Sequence, residues 1–110
     1  MPPNRPETLT PLSAAILFAL ADGASHGYAI IKDVEQMSEG RVVLSTGTLY
    51  GALQRLLTNG WIEEHEEEES SRDRRAYRLT ARGRRNLQQE VDRLKHLTRL
   101  AGARIARKEA

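Results

Sequence analysis

The side chains of this 110-residue chain that are best suited to chemistry are basic and occur in two dense groups. Seven arginines stand against one aspartate between positions 72 and 85, and six basic residues occur without an acid between positions 93 and 108. Clustered guanidinium groups create a positive potential that attracts phosphate. The sequence therefore predicts a phosphate-binding surface, with a solvated charge run that only keeps the chain soluble as the alternative.

No arrangement of residues indicates an active site. The sequence contains no nucleophile elbow, no glycine-rich phosphate loop and no HExxH motif. Because it contains no cysteine, disulfides, thiolate zinc sites and cysteine nucleophiles are excluded. His65 could bind a metal together with Glu63 or Glu67, but an exposed strand offers no enclosing geometry for such a site. We therefore expect no enzyme activity, no bound metal and no cofactor.

Length and hydropathy narrow the class of protein further. A chain of 110 residues has room for one domain with a small core. Its longest apolar run, positions 14 to 21, has eight residues, far short of the roughly 20 that span a bilayer. No basic segment of the kind found in signal peptides precedes that run. These features predict a cytoplasmic protein without a membrane partner.

Two helices are predicted after a proline-rich, flexible arm at residues 1–8. Apolar residues spaced three and four apart predict the first helix at about 11–21, with Thr10 as its N-cap. Gly27 is expected to make a tight entry into the second helix, with Tyr28 partly buried. The apolar face of this second helix, which ends near residue 39, is formed by Ile30, Ile31, Val34 and Met37.

A third helix follows a short extended link at residues 41–44. Ser45 is a natural N-cap for this helix, and Asn59-Gly60 ends it because glycine readily adopts the left-handed conformation of a C-terminal cap. Its apolar stripe consists of Leu49, Leu53, Leu56 and Leu57.

The periodicity changes after this helix. Alternation over residues 75–79 predicts a half-buried strand, with Tyr77 and Leu79 on one face and Ala76 on the other. Together with the segment that begins at position 61, this strand predicts a two-stranded hairpin. Thr80 then caps a long last helix.

The last helix carries an apolar seam. Its apolar residues are spaced alternately four and three positions apart, which is similar to a heptad repeat. Such a helix is too long and too apolar on one side to lie alone in water, so we expect it to pair with the same helix of a second copy. The residues expected at this homodimer interface are Leu87, Val91, Leu94, Leu97, Ala101 and Ile105.

Three short helices followed by a hairpin are the order of a winged helix-turn-helix, a mainly α fold with a small β-hairpin. The sequence also carries four motifs in this order: HGY at 26–28, STGTLYGALQRL at 45–56, GWIE at 60–63, and YRLT at 77–80 with Gly83. In these motifs residues 9–95 resemble the PadR family of bacterial transcriptional regulators. The predicted organisation is an arm at 1–8, a DNA-binding domain at 9–80 and a dimerisation helix at 81–110.

The resemblance implies a dimeric winged helix whose third helix enters DNA and whose C-terminal helix forms the dimer. Repression of transcription is also implied by the resemblance. Two features differ from many relatives: Gly51 replaces a proline after the Gly-Thr-Leu-Tyr motif, and a single helix forms the C-terminal region.

Within this fold the start of the third helix is the expected DNA-reading element. Its first hydroxyl groups lie beside backbone amides that are free to meet a phosphate or a base edge. Three further side chains lie away from the leucine stripe; Arg55 could contact guanine, Gln54 adenine and Tyr50 a phosphate oxygen. The alternative is that Ser45 only caps the helix and Tyr50 only packs against its neighbour. The hydroxyl groups at the start of the helix belong to Ser45, Thr46 and Thr48.

The hairpin supplies a second expected contact with DNA. Arg72, Arg74 and Arg75 could lie along the phosphate backbone or in a narrow minor groove, and a solvated turn is the alternative. Six acids at positions 63 to 69 precede them, and we hypothesise that these acids confine phosphate contact to the arginines.

The sequence thus predicts a homodimeric, sequence-specific regulator, a repressor that binds double-stranded DNA at a pseudo-palindromic operator. One alternative is a winged helix that binds a protein partner. Another is a regulator that senses an unidentified small-molecule effector at an apolar site in the dimer interface.

Overall fold

The computed structural model describes residues 9–65 and 75–109. The predicted arm at 1–8 and the arginines Arg72 and Arg74 lie outside the described residues. The elements are α1 (Pro11–Ala19), β1 (Ser25–His26), α2 (Gly27–Met37), α3 (Thr46–Thr58), β2 (Ile62–His65), β3 (Ala76–Leu79) and α4 (Ala81–Glu109).

Each of the predicted N-caps forms. Thr10 Oγ1 accepts a hydrogen bond from the Ser13 amide at 3.0 Å, and Pro11 occupies the first turn of α1, where its missing amide donor costs nothing. Ser45 Oγ accepts from the Thr48 amide at 3.1 Å at the start of α3. These bonds confirm the predicted helix starts, whereas α1 ends at Ala19, two residues before the predicted position.

The core is built from the apolar faces of α1, α2 and α3. The leucine stripe of α3 is buried at Leu49, Leu53 and Leu56 as predicted, and it packs with the buried Ile16 of α1 and Ile30 of α2. Burial of these side chains supplies the main driving force for folding.

Two residues of α2 lie elsewhere than the sequence predicted. Tyr28 is 69% exposed rather than partly buried, because Gly27 and Ile30 are the residues of this turn that face the core. Its ring instead lies under Lys32, whose Nζ is 5.0 Å from the ring centroid. Met37, expected on the apolar face, is exposed at the last position of the helix.

The sheet has three antiparallel strands in the order β1-β3-β2. The predicted hairpin is present as β2 and β3, and the two residues of β1 add a third strand that the sequence did not indicate. Ala76 lies in the central strand and is buried, so part of the face opposite Tyr77 and Leu79 is covered as well.

One cluster joins α3, the sheet and α4, and we call it the Thr80 junction (Gly60, Trp61, Thr80 and Gly83). Thr80 Oγ1 donates to the Gly60 carbonyl at 2.7 Å and accepts from the Gly83 amide at 3.0 Å. The Thr80 amide donates to the Trp61 carbonyl at 3.1 Å. A Cβ at Gly83 would overlap that carbonyl oxygen, so only glycine permits this approach.

Helix α4 has 29 residues, which corresponds to about 43 Å at the usual rise per residue. Leu87 is buried in the core and Val91 packs partly against it, whereas residues 92–109 are all exposed. Most of this helix therefore extends beyond its own domain. Among residues 9–65 and 75–109, no helix is long and apolar enough to cross a membrane.

The Thr80 junction predicts opposite effects for two glycine substitutions in α4. Gly83→Ala should lower the free energy of unfolding by about 1–3 kcal/mol, because its methyl group meets a backbone oxygen that cannot move alone. Gly102→Ala should instead raise that free energy by about 0.5–1 kcal/mol, because nothing lies within 4 Å of the added carbon. Denaturant unfolding at one protein concentration measures both, and equal effects would contradict the described approach of Gly83 to Trp61.

Candidate nucleic-acid interface

The predicted reading side chains are all exposed, on α3 or just before it, and lie outside the buried leucine stripe. Thr46, Tyr50 and Gln54 are spaced four residues apart and therefore form one row along the helix, which we call the exposed row of α3. Thr48 and Arg55 lie about 100° or more further round the helix, and Ser45 precedes it. Their contact with DNA stays a prediction.

The hydroxyl group of Ser45 is engaged within the first turn of α3. It accepts from the Thr48 amide and donates to Thr48 Oγ1 at 2.9 Å, so capping uses the Ser45 hydroxyl group both as acceptor and as donor, whereas Thr48 Oγ1 only accepts. The first backbone amides of a helix lack partners within the helix, and Thr46 stands exposed beside them. In this geometry a phosphate would meet the Thr46 side chain and the helix amides more readily than Ser45.

Tyr50 is held by a close approach to α2 and still exposes half of its surface. A Cβ at Gly27 would lie 2.8 Å from the Tyr50 hydroxyl oxygen, so glycine at that position lets the phenol ring lie across the start of α2. Tyr50 is 50% exposed. It therefore packs against the neighbouring helix and also offers surface to a partner.

The arginines between positions 72 and 85 do not form one uniform patch. Arg84 Nη2 donates to the Ala21 carbonyl at 3.1 Å and so ties α4 to the end of α1. Arg78 Nε donates to Glu63 Oε1 at 2.9 Å, and its Nη1 lies 3.1 Å from His65 Nδ1. Arg75 lies at the start of β3 and pairs with Glu64, with 3.3 Å between Nη1 and Oε1.

A cleft of about 370 Å³ separates the exposed row of α3 from the β2–β3 hairpin, and we call it the α3–wing cleft. Its lining includes two leucines, two phenols, an amide and an ion pair. It is lined by Tyr50, Leu53, Gln54, Leu57, Glu64, Arg75 and Tyr77. Three predicted site residues, Tyr50, Gln54 and Arg75, thus line one cleft.

The electrostatics of this cleft are set by its acidic groups as well as by its arginine. Burial raises the pKa of Tyr77 above its ordinary value, the neighbouring Tyr50 and Glu64 raise it further, and Arg75 opposes them. The Tyr77 phenol therefore stays neutral at physiological pH and keeps its proton available for hydrogen bonding.

Sequence analysis missed Glu64 and Tyr77 as parts of this site. The strand register places Glu64 opposite Tyr77, and that pairing depends on the connection between β2 and β3 rather than on any local period. Alternation within β2 could have indicated that Glu63 and Glu64 point to opposite faces, but not which of them meets α3.

The described residues include no candidate metal site. In residues 9–65 and 75–109, no three His, Asp or Glu side chains converge as a metal site requires, and Glu67 lies outside these ranges.

The residues expected at the dimer interface fall into two groups along α4. Leu87 lies in the core of its own chain and Val91 partly packs there, whereas the exposed members are Leu94, Leu97, Ala101 and Ile105.

The raised pKa of Tyr77 predicts a pH dependence of stability. Because the folded-state pKa lies above the ordinary value of 10.0, the folded protein keeps its stability below that pH and loses it as pH rises through the folded pKa. Tyr77→Phe should remove this alkaline loss and the highest-pH component of the tyrosinate absorbance titration. A substituted protein that still shows that component would assign the shifted phenol to another tyrosine.

Comparison with known proteins agrees with this fold. The profile of the transcriptional regulator PadR-like family matches residues 16–89. An uncharacterized 37.1 kDa protein in transposon TN4556 of Streptomyces fradiae is 41% identical over 83 residues, which is 76% of this chain. The chain spans only 23% of the length of that relative.

Solved structures give the same result. A transcriptional regulator from Clostridium thermocellum is 29% identical, with a TM-score of 0.70 over 84% of this chain and 87% of the other. Bacillus subtilis PadR in complex with operator DNA shares the fold at 23% identity, with a TM-score of 0.63 over 73% of this chain and 46% of the other. The predicted resemblance and winged-helix fold are confirmed, and the family is one of transcriptional regulators, not of enzymes. The chain belongs to the PadR-like family of transcriptional regulators.

Proposed function

We propose that this PadR-family regulator binds double-stranded DNA as a homodimer and represses transcription from a pseudo-palindromic operator. The observation that carries the proposal is the exposed polar row of α3, which lies beside Arg75 across the α3–wing cleft. An exposed helix face of this kind fits the major groove of DNA, and an adjacent basic wing fits the neighbouring backbone. Bacillus subtilis PadR, which has the same fold, is bound to operator DNA in its structure, and this supports the binding of DNA.

On DNA, some side chains of α3 would contact bases, and others would contact phosphates and so position the helix. Gln54 would make paired hydrogen bonds to adenine, and Arg55 would make them to guanine. Thr46 and Tyr50 would contact phosphate oxygens and so fix the register of the helix, although such contacts carry no sequence information. Arg75, together with Arg72 and Arg74, would lie along the backbone or in a narrow minor groove.

The exposed part of α4 supports the homodimer. Leu94 and Ile105 are 39% and 59% exposed, and a shallow groove of about 430 Å³ beside Leu94 has mostly apolar walls. A second copy that covered these side chains would remove apolar surface from water and carry a second α3. Two such helices would meet half-sites about one DNA turn, or a multiple of it, apart. Repression would follow where the operator overlaps a promoter and bound dimer excludes the polymerase.

The first test is fluorescence anisotropy with DNA from upstream of the protein's own gene and with a scrambled duplex, each at several salt concentrations. The proposal predicts tight binding to the first, weaker binding to the second, and a steep loss of affinity with salt because bound phosphates release counterions. Binding that is weak, equal for both duplexes and insensitive to salt would favour the protein-interaction module instead.

Two substitutions separate base reading from phosphate binding. Gln54→Ala should reduce discrimination between the matched and scrambled duplexes by about 1–3 kcal/mol, because one base contact is lost. Arg75→Ala should weaken binding to both duplexes alike and reduce the salt slope by about one contact. The assignment would be wrong if both variants changed the affinity for the two duplexes in the same way.

The dimer is tested by a charge placed on each side of α4. Leu94→Glu should yield a monomer in sedimentation velocity, because the carboxylate would have to be buried in an apolar seam. Gln89→Glu adds the same charge at an exposed position on the opposite side of the helix and should leave the dimer intact. A Leu94→Glu variant that sediments as a dimer would place the interface elsewhere.

A further inference from the structure

A carboxylate lies inside the basic part of the proposed DNA surface. Glu64 Oε1 is 3.3 Å from Arg75 Nη1, and the two side chains are 43% and 70% exposed. Glu64 also lines the α3–wing cleft together with Gln54 and Tyr50. Any phosphate that approaches Arg75 from α3 must therefore also approach Glu64.

We propose that Glu64 competes with DNA phosphate for Arg75 and thereby limits the affinity of the protein for DNA outside its operator. The inference rests on the proposed DNA-binding function and adds a residue that restrains it. A phosphate can displace the carboxylate because exposed ion pairs are weak. Until it does so, the carboxylate neutralises Arg75 and repels the backbone.

The neighbouring Glu63 shows that the effect proposed for Glu64 depends on where the carboxylate lies and not only on its charge. Consecutive residues of a strand point to opposite faces, and Glu63 pairs with Arg78 at 2.9 Å without lining the cleft. Both glutamates carry one negative charge, and each forms an ion pair with one arginine: Glu63 with Arg78 in β3, and Glu64 with Arg75 just before β3. They differ in that Glu64 lies beside the exposed row of α3.

The consequence for a regulator follows from how the two kinds of DNA are bound. Nearly all of the free energy of non-specific binding comes from phosphate contacts, so a weakened Arg75 contact lowers it substantially. Operator binding gains additional free energy from base contacts made by α3, which do not involve Arg75. Because Arg75 would contact phosphate in both complexes, Glu64 lowers both affinities by a similar factor, and only the operator complex then has base contacts that keep the protein bound.

The test compares Glu64→Gln with Glu63→Gln on the scrambled duplex, by anisotropy at several salt concentrations. Each variant removes one carboxylate and one ion pair with an arginine, so the change in net charge is matched. Glu64→Gln should bind the scrambled duplex about 3- to 10-fold more tightly than wild type at low salt, with a salt slope steeper by a fraction of one contact. Glu63→Gln should show a clearly smaller change.

An Arg75→Ala background shows whether Glu64 acts through Arg75. There the Glu64→Gln effect should fall to the size of the Glu63→Gln effect. Equal tightening by the two glutamine variants, or a Glu64→Gln effect that survives in this background, would overturn the inference. Circular dichroism and unfolding midpoints that match those of wild type exclude a change in the fold of the wing.

The outcomes separate this inference from the proposed function. If wild type binds the upstream and scrambled duplexes equally, the regulator proposal fails, while the comparison of Glu64→Gln with Glu63→Gln on the scrambled duplex still decides the role of Glu64. If wild type binds neither duplex, both proposals are overturned.

Discussion

The arrangement of the reading elements depends on the hydrogen bonds and the close approach at the Thr80 junction. One threonine hydroxyl group joins the end of α3, through Gly60, to the first turn of α4, through Gly83. The Thr80 amide fixes the end of β3 to Trp61 at the start of the hairpin. Because α3, the hairpin and α4 all meet there, the junction sets both the distance between α3 and the wing and the direction in which α4 leaves the domain.

In the proposed function, the α3–wing cleft would let such a fixed scaffold adjust its affinity for DNA with few residues. Its polar side chains come from α3 and from two strands, and they include both a cation and a competing anion. A surface with arginines alone would bind phosphate anywhere along DNA, whereas a site with a restrained arginine would bind tightly only where base contacts by α3 add to the phosphate contact. The exposed seam of α4 would then double this site by bringing in a second copy.

Local patterns predicted most of the helical structure. The leucine stripe of α3 and the caps at Thr10, Ser45 and Thr80 each depend on residues three or four positions apart, which is why they could be identified from sequence. The third strand could not, because the two residues of β1 are too few to show a period. Nor could the pairing of Glu64 with Arg75, because 11 residues separate them and the register of the hairpin decides which side chains meet.

The central claim is that two copies of α3 read two related half-sites. Selection of bound duplexes from a random pool, followed by sequencing, tests it most directly because no operator has to be assumed. The account predicts enrichment of an inverted repeat whose half-site centres lie about one helical turn, or a multiple of it, apart. Absence of any enriched sequence, or enrichment of a single site without a repeat, would contradict it.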